Sequence, residues 1–246
     1  MEKVSKFINV ILIGLVSAVT GILLWYQDYA GTMTALAWIS VICMTIWGAI
    51  YGYKRVNLVN LIILAVIAML VGFLTELIGT QEGLWSFGAH NPPLYIIPSW
   101  ILLALSMLIL TELGYEAPFV PTVPPSKYDK YIGALIPVLL LVFLIATLGE
   151  YRAHTGALFF AYYIVLTLLN AVYYFSTPDT KKLLLAVVAA WLVSTAAELI
   201  GASSNLWSFT YQFPVWIIIS CWSLEWLFIL AAITVIQSML QKNEAK

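Results

Sequence analysis

Apolar residues run along this chain in eight long blocks separated by short polar punctuation. The blocks span Phe7–Tyr26, Thr32–Tyr53, Leu58–Ile78, Leu94–Leu113, Tyr131–Leu148, Ala157–Tyr174, Leu183–Ile200 and Val215–Leu240. Each approaches the roughly 20 residues that a helix needs to cross about 30 Å of hydrocarbon. Backbone groups in lipid must pair within their own segment, so a helix is the expected element. The alternating segments of about 10 residues that mark a membrane barrel are absent. The pattern therefore predicts an all-α polytopic membrane bundle of about eight transmembrane helices. Composition sharpens this: 63% of the 246 residues are hydrophobic and 9% charged, whereas a soluble domain carries about 25% charged residues. Little chain is left for a domain outside the membrane. The first block follows Lys3 and Lys6, as in a signal peptide, but its length and the lack of a small-x-small exit favour a retained helix.

The cations divide the loops into two sets. Lys3, Lys6, Lys54, Arg55, Lys127, Lys130, Lys181, Lys182, Lys242 and Lys246 fall in one set, and Arg152 alone in the other. An even number of spans with both termini cytoplasmic accounts for that split and suggests an integral cell-membrane protein. A seven-span reading would scatter the charges over both faces. The net charge of −1 offers no field for nucleic acid. Cys43 and Cys221 lie within apolar runs and read as small buried hydrophobes.

The two halves align without a gap at an offset of 122. Glu76-Leu77-Ile78-Gly79 recurs as Glu198-Leu199-Ile200-Gly201, and Leu84-Trp85-Ser86-Phe87 as Leu206-Trp207-Ser208-Phe209. Pro92 recurs as Pro214, Trp100 as Trp222, and Tyr51 as Tyr173; Asp28-Tyr29 pairs with Glu150-Tyr151. Leu or Ile matches would mean little in so apolar a chain, but Glu, Gly, Trp and Pro in register are informative. The expected organisation is two four-helix repeats, 1–123 and 124–246, in one integrated membrane domain. Four spans return the chain to its starting side, so the repeats should be parallel, and a pocket between them would draw equivalent residues from both. Duplication as a mere way of building a bundle, with no site at the junction, is the plainer alternative.

Acidic residues inside spans are costly, by about 2.5–3.5 kcal/mol for Asp on insertion scales, so they nominate a site. Glu225 lies about ten residues into the last block, roughly 15 Å deep at 1.5 Å per residue. No span offers a Lys or Arg at that depth, and an apolar setting favours the neutral acid. A neutral carboxyl in a dry site is what protonation of a weak base requires. The competing reading is a carboxyl that clamps two helices through a carbonyl or hydroxyl. Glu76 and Glu198 close their blocks, and either belong to a site or reach the headgroups.

The segments after Gly79 and Gly201 carry Trp85 and Phe87, and Trp207, Phe209, Tyr211 and Phe213. They either dip inward to cap a cavity or form an aromatic belt at the interface. Around Glu225 stand Trp222, Trp226 and Phe228, of which the residues three positions away share its face. Such rings can stabilise a carbocation through cation–π contact without supplying a nucleophile; packing and interface anchoring account for many aromatics in any membrane protein. His90 and His154 have no metal-ligand spacing, and a site combining His90 with Glu76 and Glu198 is weakly signalled, so no metal is expected. Gly79-x-x-x-Gly83 sits at a block end and reads as turn chemistry. Nucleotide, hydrolase and metalloprotease motifs are absent.

These residues resemble the membrane-integral carotenoid cyclases and hydratases, which include lycopene cyclase domains and bisanhydrobacterioruberin hydratase. The second half is similar to the lycopene cyclase repeat in Glu198, in Leu206-Trp207-Ser208-Phe209 and in Ser223-Leu224-Glu225-Trp226-Leu227-Phe228. The first half looks more like the hydratase in Glu76-x-x-Gly79-x-x-x-Gly83, Phe87-Gly88 and Pro98-x-Trp100. The likeness covers roughly the last two spans of each half. Ser223 stands where that family has Pro, Trp226 where it has a second acid, and Leu103 is the first-half equivalent of Glu225. The resemblance implies redox-neutral cyclisation or hydration of a polyprenoid, started by carboxylic-acid protonation, with no cofactor.

The expected function is thus an integral membrane enzyme of isoprenoid or carotenoid metabolism. Glu225, Glu198 and Glu76 are the candidate catalytic residues. Trp85, Phe87, Trp100, Trp207, Phe209, Trp222, Trp226 and Phe228 are the candidate substrate-binding residues, and the partner is a hydrophobic polyprenoid or lipid. The alternatives are a parallel-repeat transporter with a carboxylate proton relay and an assembly factor without a substrate. Nothing in the residues speaks to the oligomeric state.

Overall fold

The computed structural model describes residues 2–26, 35–87, 92–117, 126–148, 155–203, 206–210 and 215–244. Among them are eight helices: α1 (Glu2–Tyr26), α2 (Ala35–Arg55), α3 (Leu58–Gln81), α4 (Ile96–Glu116), α5 (Asp129–Thr147), α6 (Ala157–Ser176), α7 (Thr180–Ser203) and α8 (Val215–Glu244). All but α2 contain a described stretch long and apolar enough to cross a membrane. The chain is an all-α polytopic bundle, as the eight-block pattern anticipates. The helix ends depart from the block ends by a few residues. Asn57, just outside the third block, caps α3 by accepting the Asn60 amide at 2.8 Å.

Helix packing is the same in both halves. Moving each helix four places along the chain carries the α1–α2 contact onto α5–α6, α3–α4 onto α7–α8, and α1–α4 onto α5–α8. It likewise exchanges the two cross-half contacts, α4–α7 and α3–α8. Helices α4 and α8 form the centre, while α1, α2 and α5 are the least enclosed. The outward face of α2 shows why a bundle this apolar belongs in lipid: Ile39, Ile42, Ile46 and Ile50 are all more than half exposed, at helical spacing.

Two short strands, β1 (Trp85–Ser86) and β2 (Ser208–Phe209), bridge the halves as an antiparallel pair. Ser86 pairs with Ser208, its own equivalent at the offset of 122, and Trp85 pairs with Phe209. Deeper in the bundle, Trp100 stacks on its equivalent Trp222, with centroids 4.8 Å apart and rings 28° from parallel. These self-pairings mark the line about which the halves exchange. Cys221 is buried as its apolar run suggests, but Cys43 is exposed, because the α2 face that carries it borders an open cavity and the lipid-facing surface.

Candidate functional site

The site is built from the ends of α3 and α7. Beyond α3 the chain turns at Gly83, whose φ of +69° suits a residue without a Cβ. The Leu84 amide then donates to the Gly79 carbonyl at 2.8 Å. This reversal lays the Trp85 ring on Gly79, where any Cβ would collide with the indole. The Gly79-x-x-x-Gly83 spacing is therefore turn chemistry joined to a close ring contact. Held there, Trp85 Nε1 donates to Glu76 Oε2 at 2.8 Å. The second half repeats the arrangement. The Leu206 amide donates to Gly201 at 2.9 Å, Trp207 covers Gly201, and Trp207 Nε1 donates to Glu198 Oε2 at 2.9 Å.

The central tryptophans complete the pair. Trp100, for which Gly72 leaves room, donates from Nε1 to Glu76 Oε1 at 3.2 Å, and within the second half its equivalent Trp222 likewise meets Glu198. Two carboxyls thus lie either side of the exchange line, each held by indole N–H donors. Glu76 is buried and Glu198 partly so.

Both carboxyls open onto a cavity of about 410 Å³. Of the eight aromatics singled out in the sequence, Trp85, Phe87, Trp100, Trp207, Phe209 and Trp222 line it. The aromatic segments therefore turn inward at their described residues. Trp226 and Phe228 are placed elsewhere. Trp226 is fully enclosed and its Nε1 reaches Thr111 Oγ1 at 3.4 Å, while Phe228 packs on the core away from the cavity. Tyr211, Phe213, His90, His154, Asp28, Glu150 and Arg152 lie outside the described residues.

Glu225 is completely buried within the bundle, yet it is not on the cavity wall. Its Oε1 accepts from Tyr163 Oη at 2.5 Å and from Thr75 Oγ1 at 2.7 Å. The Tyr162 hydroxyl lies 3.1 Å from Thr75 Oγ1 and extends the cluster. Tyr163 and Thr75 both line the cavity, so Glu225 stands one layer behind. Glu225 Oε2 has no hydrogen-bond partner among the described residues. Sequence reasoning had missed Tyr163, Thr75 and Tyr162. The signal was available in the offset of 122, which sets Tyr163 against Val41, Thr75 against Ala197 and Glu225 against Leu103.

Those three exchanges explain the cavity's lopsided shape. From the shared carboxyl pair it runs into the first half, past Leu24 on α1, Met44 on α2, and Leu103 and Leu110 on α4. The corresponding space in the second half holds the Glu225–Tyr163–Thr75 cluster. The result is one apolar slot with two carboxyls at its end and no Lys or Arg among the described residues that line it. Such an arrangement can bind a hydrocarbon chain, exclude water and exchange protons with it. No protein-family model, curated protein or solved structure matches the chain.

Proposed function

We propose that the protein is an integral membrane enzyme that transfers protons to and from an apolar polyprenoid or related polyene, giving redox-neutral cyclisation or hydration. The observation that carries this reading is the convergence of Glu76 and Glu198, with four indoles, on the end of a hydrocarbon-lined slot. In the proposed step one carboxylic acid of the pair gives its proton to a terminal alkene carbon, leaving a tertiary carbocation on the neighbouring carbon. The faces of Trp100, Trp222, Trp85 and Trp207 favour that cation over its escape. For cyclisation, an internal double bond attacks the cation and the other carboxylate removes a proton, so substrate and product are isomers. For hydration, water adds to the cation and returns a proton to the pair. Glu225 acts as a positioning residue in this scheme, because it meets the cavity only through Tyr163 and Thr75.

The two halves serve as four-helix repeats, 1–123 and 124–246, with both termini on the cytoplasmic side of the cell membrane, as the loop charges favour. The test is expression in a host that accumulates an acyclic polyene such as lycopene, with chromatography of the pigments. A new pigment should appear with the native chain and be lost in Glu76→Gln and Glu198→Gln. An unchanged profile from folded, membrane-inserted protein overturns the proposal.

A second reading rests on the cavity's place at the junction of the halves, where repeat transporters hold their substrates. It requires proton-coupled uptake into proteoliposomes that Glu198→Gln abolishes. The scarcity of polar groups on the wall favours the enzyme.

A further inference from the structure

The cavity has a side door. Four residues line it and are also exposed on the outer surface of the bundle: Cys43 and Trp47 on α2, and Leu192 and Ala196 on α7. Each pair is four residues apart and so forms one ridge of its helix. Helices α2 and α7 are neighbours, so the two ridges bring the cavity wall to the apolar surface between them. On α2 that surface continues as Ile42 and Ile46, and on α7 as Val188 and Leu199. A solute arriving here comes from hydrocarbon, not from water.

The shape of the interior limits what can enter. Along α4 the wall runs from Ile96 to Leu110, fourteen residues, or about 21 Å at 1.5 Å per residue. Spread over that length, 410 Å³ describes a hollow much longer than it is wide. A long, narrow apolar hollow of this kind suits an extended hydrocarbon chain lying along α4. The carboxyls sit at the Trp100 end and are held by indoles, whereas the Leu110 end is aliphatic.

We propose that the ligand is a single linear chain that enters from the bilayer between α2 and α7, apolar end first, and brings that end to Glu76 and Glu198. This inference rests on the reading of the cavity as a lipid-substrate site and names its route and ligand class. The apolar route favours a ligand dissolved in the bilayer over a free-standing polar metabolite. Chemistry at the chain's apolar end, rather than mid-chain, follows from that orientation.

The test uses the full chain in phosphatidylcholine nanodiscs with a sixteen-carbon fatty acid that carries a diazirine at its methyl end. After photolysis, adducts are mapped by peptide mass spectrometry. Adducts are expected at Glu76, Glu198 and their neighbours, with others on the lipid-facing residues of α5. Prior modification of Cys43 with N-benzylmaleimide, or the substitution Ala196→Trp, should abolish the cavity adducts and leave those on α5 unchanged. Ile46→Trp, one turn away on the lipid face, should change neither set. Cavity adducts that persist when Cys43 is fully modified and in Ala196→Trp overturn the portal while leaving the cavity reading intact. An absence of cavity adducts in the unmodified protein removes the cavity reading and the portal with it.

Discussion

The space beside α4 and the equivalent space beside α8 began from the same helix frame and ended differently. Beside α4, Leu103, Val41 and Ala197 leave an open slot. Beside α8, Glu225, Tyr163 and Thr75 occupy the matching positions and bond to one another. The frame itself is unchanged: Gly79 and Gly201 accommodate the same indole, and the same donor meets the same carboxyl in each half. A duplicated bundle can therefore keep one shared acid pair on its exchange line and still present one cavity rather than two. The difference rests on a few side chains, because a groove between helices is filled or emptied by bulk at a few facing positions.

Removing the plug should have the largest effect on stability. Glu225→Ala strands two buried hydroxyls and leaves a void, at a cost of about 3 kcal/mol or more, whereas Leu103→Ala beside the open slot should cost about 1 kcal/mol. Thermal unfolding in detergent would compare them, and equal losses would mean that the two spaces are packed alike. Next come the shared glycines. Gly79→Ala and Gly201→Ala should each cost about 1–3 kcal/mol by displacing Trp85 or Trp207. Near-equal melting shifts would support a common frame; a large shift at only one site would break it.

Smaller effects separate the two carboxyls. Trp85→Phe deletes a donor to a buried acid and should cost about 1 kcal/mol, whereas Trp207→Phe, serving the partly exposed Glu198, should cost about half that. Chemical denaturation of the two variants reads the difference. The smallest stability change is expected for Val41→Tyr, which places the second half's residue into the open slot at a cost of under about 1 kcal/mol, since the space is already there. The same variant should lose all retention of a bound fatty acid in native mass spectrometry. Retention at the native level would show that the slot is not where the chain lies.

Much of this was legible in the residues. Eight apolar blocks become eight helices because lipid-facing segments must satisfy their own backbone. Glu76, Glu198 and six of the aromatics share one cavity because the offset of 122 repeats a whole local device, acid, glycine and indole together. What the blocks could not convey is depth in three dimensions. Glu225 is central along its helix, yet its position about the helix axis decides what it touches, and a span that is apolar on every side gives no amphipathic cue to that angle. Trp226 and Phe228 inherit the same ambiguity. Cys43 looked like a core residue for a related reason: an apolar run is equally compatible with facing lipid, core or cavity. Reading the repeats for their polar mismatches, rather than for their matches, would have found Tyr163 and Thr75.

The central claim is that Glu76 and Glu198 face the chain-binding slot while Glu225 is sealed behind it. A hydrophobic carbodiimide delivered from the bilayer, followed by peptide mass mapping, tests this directly. Adducts on Glu76 and Glu198, suppressed when a fatty acid occupies the slot, with Glu225 unmodified, are the expected result. Modification of Glu225 with Glu76 and Glu198 spared would contradict the account.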